Sequence, residues 1–362
     1  MEVIEYLKKN GIAALTAEYA IKVKVYDEGL MVLGYDQIDS PKAPTIVREC
    51  RGLILDNDFN VVSRSFDRFF NYGEMPETQA HLDWSRAYCA EKVDGSLIKI
   101  YYWNGLWRIS TRGTAFAEST VNGFPETFAE LVLKALSLSA KEFQDKCNLE
   151  LLDNWTYIFE LTCMENRVVK VYSGYTLHYL GSRSNLTGDY GNEFRLLDAI
   201  LLGAKEIQMY HFGSARACEE SAKHLPDLEE GYVVYQDGVP VCKIKSPTYV
   251  AVHHIRGEGL NPKRISQIVL TNETEEYLKY FPEDAVHFAP YVSALGVLKA
   301  SLEAAYTATL DIVDQKEFAM AVKGAPYSGV LFTCKKLGTK PSEVFNDMAE
   351  PYKIKLLGEF VK

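Results

Sequence analysis

The sequence has no C-x-x-C pair, no long apolar run, no surplus of positive charge and no internal repeat. Each absence excludes something. The seven cysteines, Cys50, Cys89, Cys147, Cys163, Cys218, Cys242 and Cys334, lack the close or paired spacing of zinc sites and disulfide frameworks, so reduced and mostly buried thiols are expected. The seven histidines offer no metal spacing either; His253 and His254 are adjacent, and adjacent residues on a helix point to different faces. No stretch approaches the ~20 apolar residues that span a bilayer, and the opening MEVIEYLKKN has no signal-peptide pattern. A cytoplasmic protein with no membrane partner is the expectation. A formal charge of −10 argues against indiscriminate nucleic-acid binding, because phosphate contacts come from Lys and Arg. The acidic excess sits in the first 250 residues, whereas residues 323–362 hold seven lysines against four carboxylates. Any nucleic-acid surface must therefore be a local patch.

What remains is an ordinary globular composition, 47% hydrophobic and 24% charged over 362 residues, enough for two or three domains. From about Ile21 to Lys245 short β-prone runs recur between turn residues: IKVKVY, RGLILD, LIKIYYW, TYIFEL, GYVVYQ and VPVCKIK among them. Asn104-Gly105 and Asp237-Gly238 each separate two such runs and supply the positive φ of a hairpin turn. Helices are expected near Thr120–Ser137, near Phe194–Leu202 and around Ser214–Lys223. After about Tyr249 the texture becomes helical, with segments separated by Pro and Gly. The expectation is an α+β fold: an antiparallel-sheet domain over residues 1–254 and an all-helical domain over 255–362.

Chemistry concentrates in a few places. Glu91-Lys92-Val93-Asp94-Gly95-Ser96 lies between two β-prone runs, so Lys92 sits at a strand end and Gly95 lets backbone approach a ligand; a surface turn would give the same pattern. In Lys243-Ile244-Lys245 strand alternation puts both lysines on one face, which suits a polyphosphate between them or an edge strand guarded by charge. Glu160, inside the apolar run TYIFEL, and Glu230, entering GYVVYQ, are carboxylates in β context that can hold a metal, bind ribose or form ion pairs. Arg51 beside Gly52 is suited to close phosphate contact.

In order, Arg51-Gly52, Lys92-x-Asp94-Gly95, Phe159-Glu160-Leu161, Glu230-Gly231-Tyr232 and Lys243-Ile244-Lys245 resemble the covalent nucleotidyltransferases, which include ATP-dependent ligases and capping enzymes. Glu49-Cys50-Arg51-Gly52, Ser65-Phe66-Asp67-Arg68-Phe69-Phe70-Asn71, Glu165-Asn166-Arg167-Val168-Val169 and Lys243-Ile244-Lys245-Ser246 narrow this to the RNA ligase 1 family typified by the bacteriophage T4 enzyme. The resemblance covers most of residues 30–255 and implies an adenylation domain with a helical RNA-specificity domain. It implies ATP and Mg²⁺ (or Mn²⁺) as cofactors, and RNA with 5′-phosphate and 3′-hydroxyl ends as partner, including a nicked tRNA anticodon loop. A phage-encoded monomer working in host cytoplasm would fit.

By the same resemblance Lys92 is the nucleophile that takes AMP, and its pKa must fall for it to attack. Lys243 and Lys245 neutralise the α-phosphate, Glu160 and Glu230 serve metal and ribose, and Asp94 and Gly95 shape the later joining steps. Arg51, and Tyr35 less directly, belong to the triphosphate region. Glu91 and Asp94 oppose a fall in the Lys92 pKa, so their side chains are expected to turn away or onto metal. Arg68 and Arg112 stand where the family carries Lys; charge is kept but geometry differs. Two rivals stay open: a DNA ligase or capping enzyme, which would append a β-barrel after Lys245, and a non-catalytic nucleotide-binding relative.

Overall fold

A computed structural model describes residues 1–121, 124–226, 228–256 and 260–361. The chain forms two compact units, Met1–Ala251 and Val252–Lys362. In the first, strands β1 (Ile21–Tyr26), β2 (Leu30–Tyr35), β3 (Arg51–Asp56) and β4 (Val61–Ser63) follow an N-terminal helix, Glu2–Tyr19, that the sequence reading did not single out. Next come β5 (Phe70–Asn71), β6 (Ala87–Glu91), β7 (Ser96–Trp103) and β8 (Leu106–Thr111). The remaining strands are β9 (Trp155–Thr162), β10 (Thr176–Ser184), β11 (Lys205–Glu206), β12 (Met209–Tyr210), β13 (Gly231–Gln236) and β14 (Val239–Lys245).

They make three sheets, β1-β2-β3-β4, β11-β10-β9-β7-β8 and β12-β6-β13-β14-β5. Pairing is antiparallel apart from two short parallel contacts, β10 with β11 and β14 with β5. Asn104 and Asp237, both at positive φ, turn the chain between β7 and β8 and between β13 and β14. The helix expected from Thr120 begins at Phe128, because Thr127 and Glu130 form a reciprocal capping box there; Asn122 and Gly123 lie outside the described residues. A second capping box, Ser139 with Glu142, starts Ala140–Glu150, a helix the sequence reading missed. These helices and Glu193–Leu202 cover the β7–β9–β10 sheet, burying Ile98, Ile100, Leu131, Val132, Tyr157 and Phe159. All seven cysteines are free and buried.

The second unit is helical throughout its described residues, and no strand follows Lys245 among them. Its longest helix, Ala285–Thr309, is apolar enough to cross a membrane by length and composition, yet sends Phe288, Ala294, Leu298 and Leu302 into buried positions. Leu298 and Leu302 pack with Phe318, Val330, Leu331 and Phe345 in this unit's core.

Candidate active site

The site is built where all three sheets of the first unit contribute a wall. A cavity of about 360 Å³ is lined by Tyr35 from β2, Arg51 from β3, Lys92 after β6, Glu160 from β9, and Lys243 and Lys245 from β14. Arg68, Glu91 and Arg112 line it as well. Beside these cations the cavity is lined by the apolar side chains Phe66, Phe69, Leu97, Leu180, Ile207 and Tyr235. Asp94, Gly95 and Glu230, named with them from the sequence, are not among the lining residues.

Lys92 is placed by its own backbone, whose N–H donates to the Gly231 carbonyl at 2.8 Å, and by Glu91 N–H donating to Gln208. Its Nζ donates to Glu230 Oε2 at 2.6 Å, and Lys245 Nζ lies 2.8 Å from Glu230 Oε1. Glu230 is therefore a buried carboxylate bridging two ammonium groups. Burial pushes its pKa up, but Lys92 and Lys245 outweigh burial and hold it below the ordinary value. The converse applies to Lys92. Burial pulls its pKa down, the Glu230 and Glu160 carboxylates and the Glu230 hydrogen bond oppose this, and the amine stays above an ordinary lysine. The fall in pKa that the sequence reading requires is thus absent from this arrangement, because the nearest charge is a carboxylate rather than a cation.

Glu160 faces the same cavity with its pKa pushed up to about 7, chiefly by burial and against the pull of Lys92. Lys243 is pushed down to about 8, by burial first and then by Lys92, Lys245 and Arg51. Closely grouped titratable side chains with such shifts mark a site built for charged ligands.

The arginines are held by aromatic faces. Arg68 lies 4.1 Å from the Tyr35 ring centroid and 5.3 Å from that of Phe70, Arg112 lies 5.8 Å from Tyr35, and Arg51 lies 5.1 Å from Phe69. Such stacking suits planar guanidinium groups and accounts for Arg at positions 68 and 112. The Nη1 atoms of Arg51 and Arg68 are buried and have no hydrogen-bond partner among the described residues.

Asp94 points elsewhere. Its Oδ2 accepts from the backbone N–H groups of Val169 and Lys170, each at 2.8 Å, and its Oδ1 accepts from the Tyr249 hydroxyl at 2.7 Å. It anchors the loop after Lys92 and does not face the amine, as the sequence reading requires of it. Gly95 crosses β9 so closely that a Cβ would lie 2.3 Å from the Leu161 carbonyl oxygen. Tyr249 escaped sequence reasoning, and so did Lys99. Lys99 is fully buried in β7, donates to the Gly52 carbonyl, and is pushed down to about 7 by burial. Gly52 has φ +69°, and a Cβ there would sit 2.7 Å from the Arg112 carbonyl oxygen, so Lys99 supports the corner where Arg51 and Arg112 meet. A lysine inside the apolar run LIKIYYW was the available signal.

The family model described as RNA ligase, of the T4 RNA ligase 1 type, matches residues 49–249, a span containing Arg51, Lys92, Glu160, Glu230 and both β14 lysines. The chain belongs to this RNA ligase family. A protein of Autographa californica nuclear polyhedrosis virus, described as a bifunctional polynucleotide kinase/RNA ligase, is 38% identical over all of this chain and 54% of its own length. An RNA ligase of Rhodothermus phage RM378 is 25% identical over 63% of this chain and 65% of its own. The chain thus spans between about half and two thirds of these relatives. Among solved structures, an archaeal ATP-dependent RNA ligase aligns with 75% of this chain and 68% of its own at 14% identity, with a TM-score of 0.47.

Proposed function

We propose that this protein is an ATP-dependent RNA ligase that joins 5′-phosphate to 3′-hydroxyl ends, with Lys92 as the residue that carries AMP. The observation that supports this most is that Lys92 lines one cavity together with Arg51, Arg68, Arg112, Lys243 and Lys245 and a set of apolar side chains. The five cationic side chains suit the oxygens of a triphosphate, and the aromatic and aliphatic side chains among the lining residues suit a base.

Attack by Nζ forms the bond to the α-phosphorus as the bond to pyrophosphate breaks. Starting from the charged amine, Nζ sheds two protons: Glu230 Oε2 at 2.6 Å is the nearest acceptor for the one lost before attack, and the departing pyrophosphate can take the one lost as the phosphoramidate forms. Lys243 and Lys245 neutralise the charge that builds on the phosphate. The adenylate then passes to an RNA 5′-phosphate, forming a 5′–5′ pyrophosphate linkage and returning Lys92 to its amine. Finally the 3′-hydroxyl attacks that 5′-phosphate, its proton is lost, and AMP leaves.

Among the described residues no three His, Cys, Asp or Glu side chains are grouped for a metal. Mg²⁺ needs only one or two carboxylates beside phosphate oxygens, so Glu160, which lines the cavity, fits Mg²⁺ or Mn²⁺, whereas Glu230 would first have to release Lys92 or Lys245. When bound, the cation supplies further charge neutralisation at the phosphates. The helical unit fits an RNA-specificity role, including nicked tRNA, through its lysine-rich last forty residues, and host cytoplasm fits as the working compartment. No strand follows Lys245 among the described residues, which disfavours the appended barrel of DNA ligases and capping enzymes. The test is intact mass after mixing with ATP and Mg²⁺: one AMP is expected on the Lys92 peptide, and GTP should not replace ATP. No adduct, or an adduct on another side chain, would overturn the reading.

A further inference from the structure

We propose that Tyr72 is a stacking platform for the terminal base of the RNA strand whose 5′-phosphate enters the cavity; this rests on the ligase reading above. The chain passes along the cavity through Arg68, Phe69, Phe70 and Asn71, all of which line it, and Tyr72, which does not, comes next. Strand β5 pairs with β14 so that Asn71 lies opposite Lys243, and Tyr72 N–H donates to the Lys243 carbonyl at 2.9 Å. Tyr72 is thereby fixed beside the strand that carries both β14 lysines.

The turn that presents it is held from beneath. Buried Gln79 donates to the Asn71 carbonyl and accepts from Gly73 N–H, both at 2.9 Å, while the Asn71 side-chain amide donates to Glu74 at 2.8 Å. On this turn Tyr72 is 40% exposed. Trp84 stands nearly perpendicular to it, with centroids 6.0 Å apart. Tyr72 belongs to none of the buried clusters, and its packing against Trp84 leaves part of it open to solvent. Unpaired RNA bases are held by aromatic faces of this kind, which accept any base, next to cations that hold the phosphate. Here the cations are Arg68 and Lys42, both lining the cavity, with Lys42 also paired to Glu74 at 2.7 Å. An aromatic face beside a cationic pocket fits the end of a single strand, where base and phosphate are both free.

The test titrates a short, 3′-blocked, 5′-phosphorylated single-stranded RNA against the full chain without ATP, read by fluorescence polarisation. Tyr72→Ala should weaken binding about ten- to a hundredfold, and Tyr72→Trp should restore it. An RNA with an abasic 5′-terminal nucleotide should bind the unmutated chain as weakly as intact RNA binds Tyr72→Ala, and should lose nothing more with that variant. Unchanged affinity in Tyr72→Ala, or equal further loss with the abasic RNA, would overturn the platform. Lysyl-AMP formation by the unmutated chain is measured in parallel. Its absence would count against the ligase reading, while the coupling between Tyr72 and the terminal base would still decide the platform.

Discussion

The two units treat buried charge differently. The first buries Lys99, Glu230, Asp94, Arg68, Glu49 and Arg183, most of them around or behind one cavity. Among its described residues the second buries a single charged side chain, Asp284, which accepts from the Tyr277 hydroxyl at 2.7 Å, beside an otherwise apolar core. A buried charge is costly unless paired, so a fold carries several in one place only where they are matched to one another or to a ligand. The contrast separates a unit shaped by chemistry from a unit shaped by packing.

Replacing charges in the first unit should therefore alter reactivity and pH response, and replacing core side chains in the second should alter stability without altering adduct formation. The largest effect is expected for Lys92→Ala, which should abolish the AMP adduct in a mass measurement while the folded circular-dichroism spectrum is kept. Next is Lys99→Met. The amine titrates at about 7 when folded against 10.5 in the free side chain, so it costs stability below pH 7 and the cost fades as pH rises towards 10.5. The variant's advantage in unfolding free energy should thus be largest below pH 7 and shrink by roughly 5 kcal/mol across that window. In the second unit, Leu298→Ala should cost about 2–5 kcal/mol in denaturant unfolding and leave adduct formation unchanged wherever the chain is folded. The smallest effect is a displaced pH limb. Lys243 loses its charge as pH rises through about 8, so kcat/KM for adduct formation should fall on that side. Lys243→Arg, which stays charged, should move the fall to higher pH in the activity it retains.

Local features of the fold were legible in the sequence, and distant ones were not. Asn104-Gly105 and Asp237-Gly238 announced their hairpins because the turn conformation is set by those residues themselves. Strand alternation put Lys243 and Lys245 on one face, and both line the cavity. The partners of Asp94 lie 75 and 155 residues away, so nothing near the motif could reveal that it anchors Val169 and Tyr249. Glu230 likewise meets Lys92 across 138 residues, and only that contact shows why the lysine is held charged. Lys99 was hidden by its setting, since a lysine in a β-prone run reads as an exposed edge until its strand is seen to be enclosed. The N-terminal helix carries no such excuse: it was overlooked in favour of the strands that follow.

The three-way grip on Asp94 has a consequence for motion. Because its carboxylate ties the loop after Lys92 to residues 169–170 and to Tyr249, the main chain beside Lys92 is held at three points. Under the proposed role of Lys92, travel of its amine between donor and acceptor then comes from rotation of its own four-carbon arm, so reach is set by the length of one side chain and not by a swinging loop.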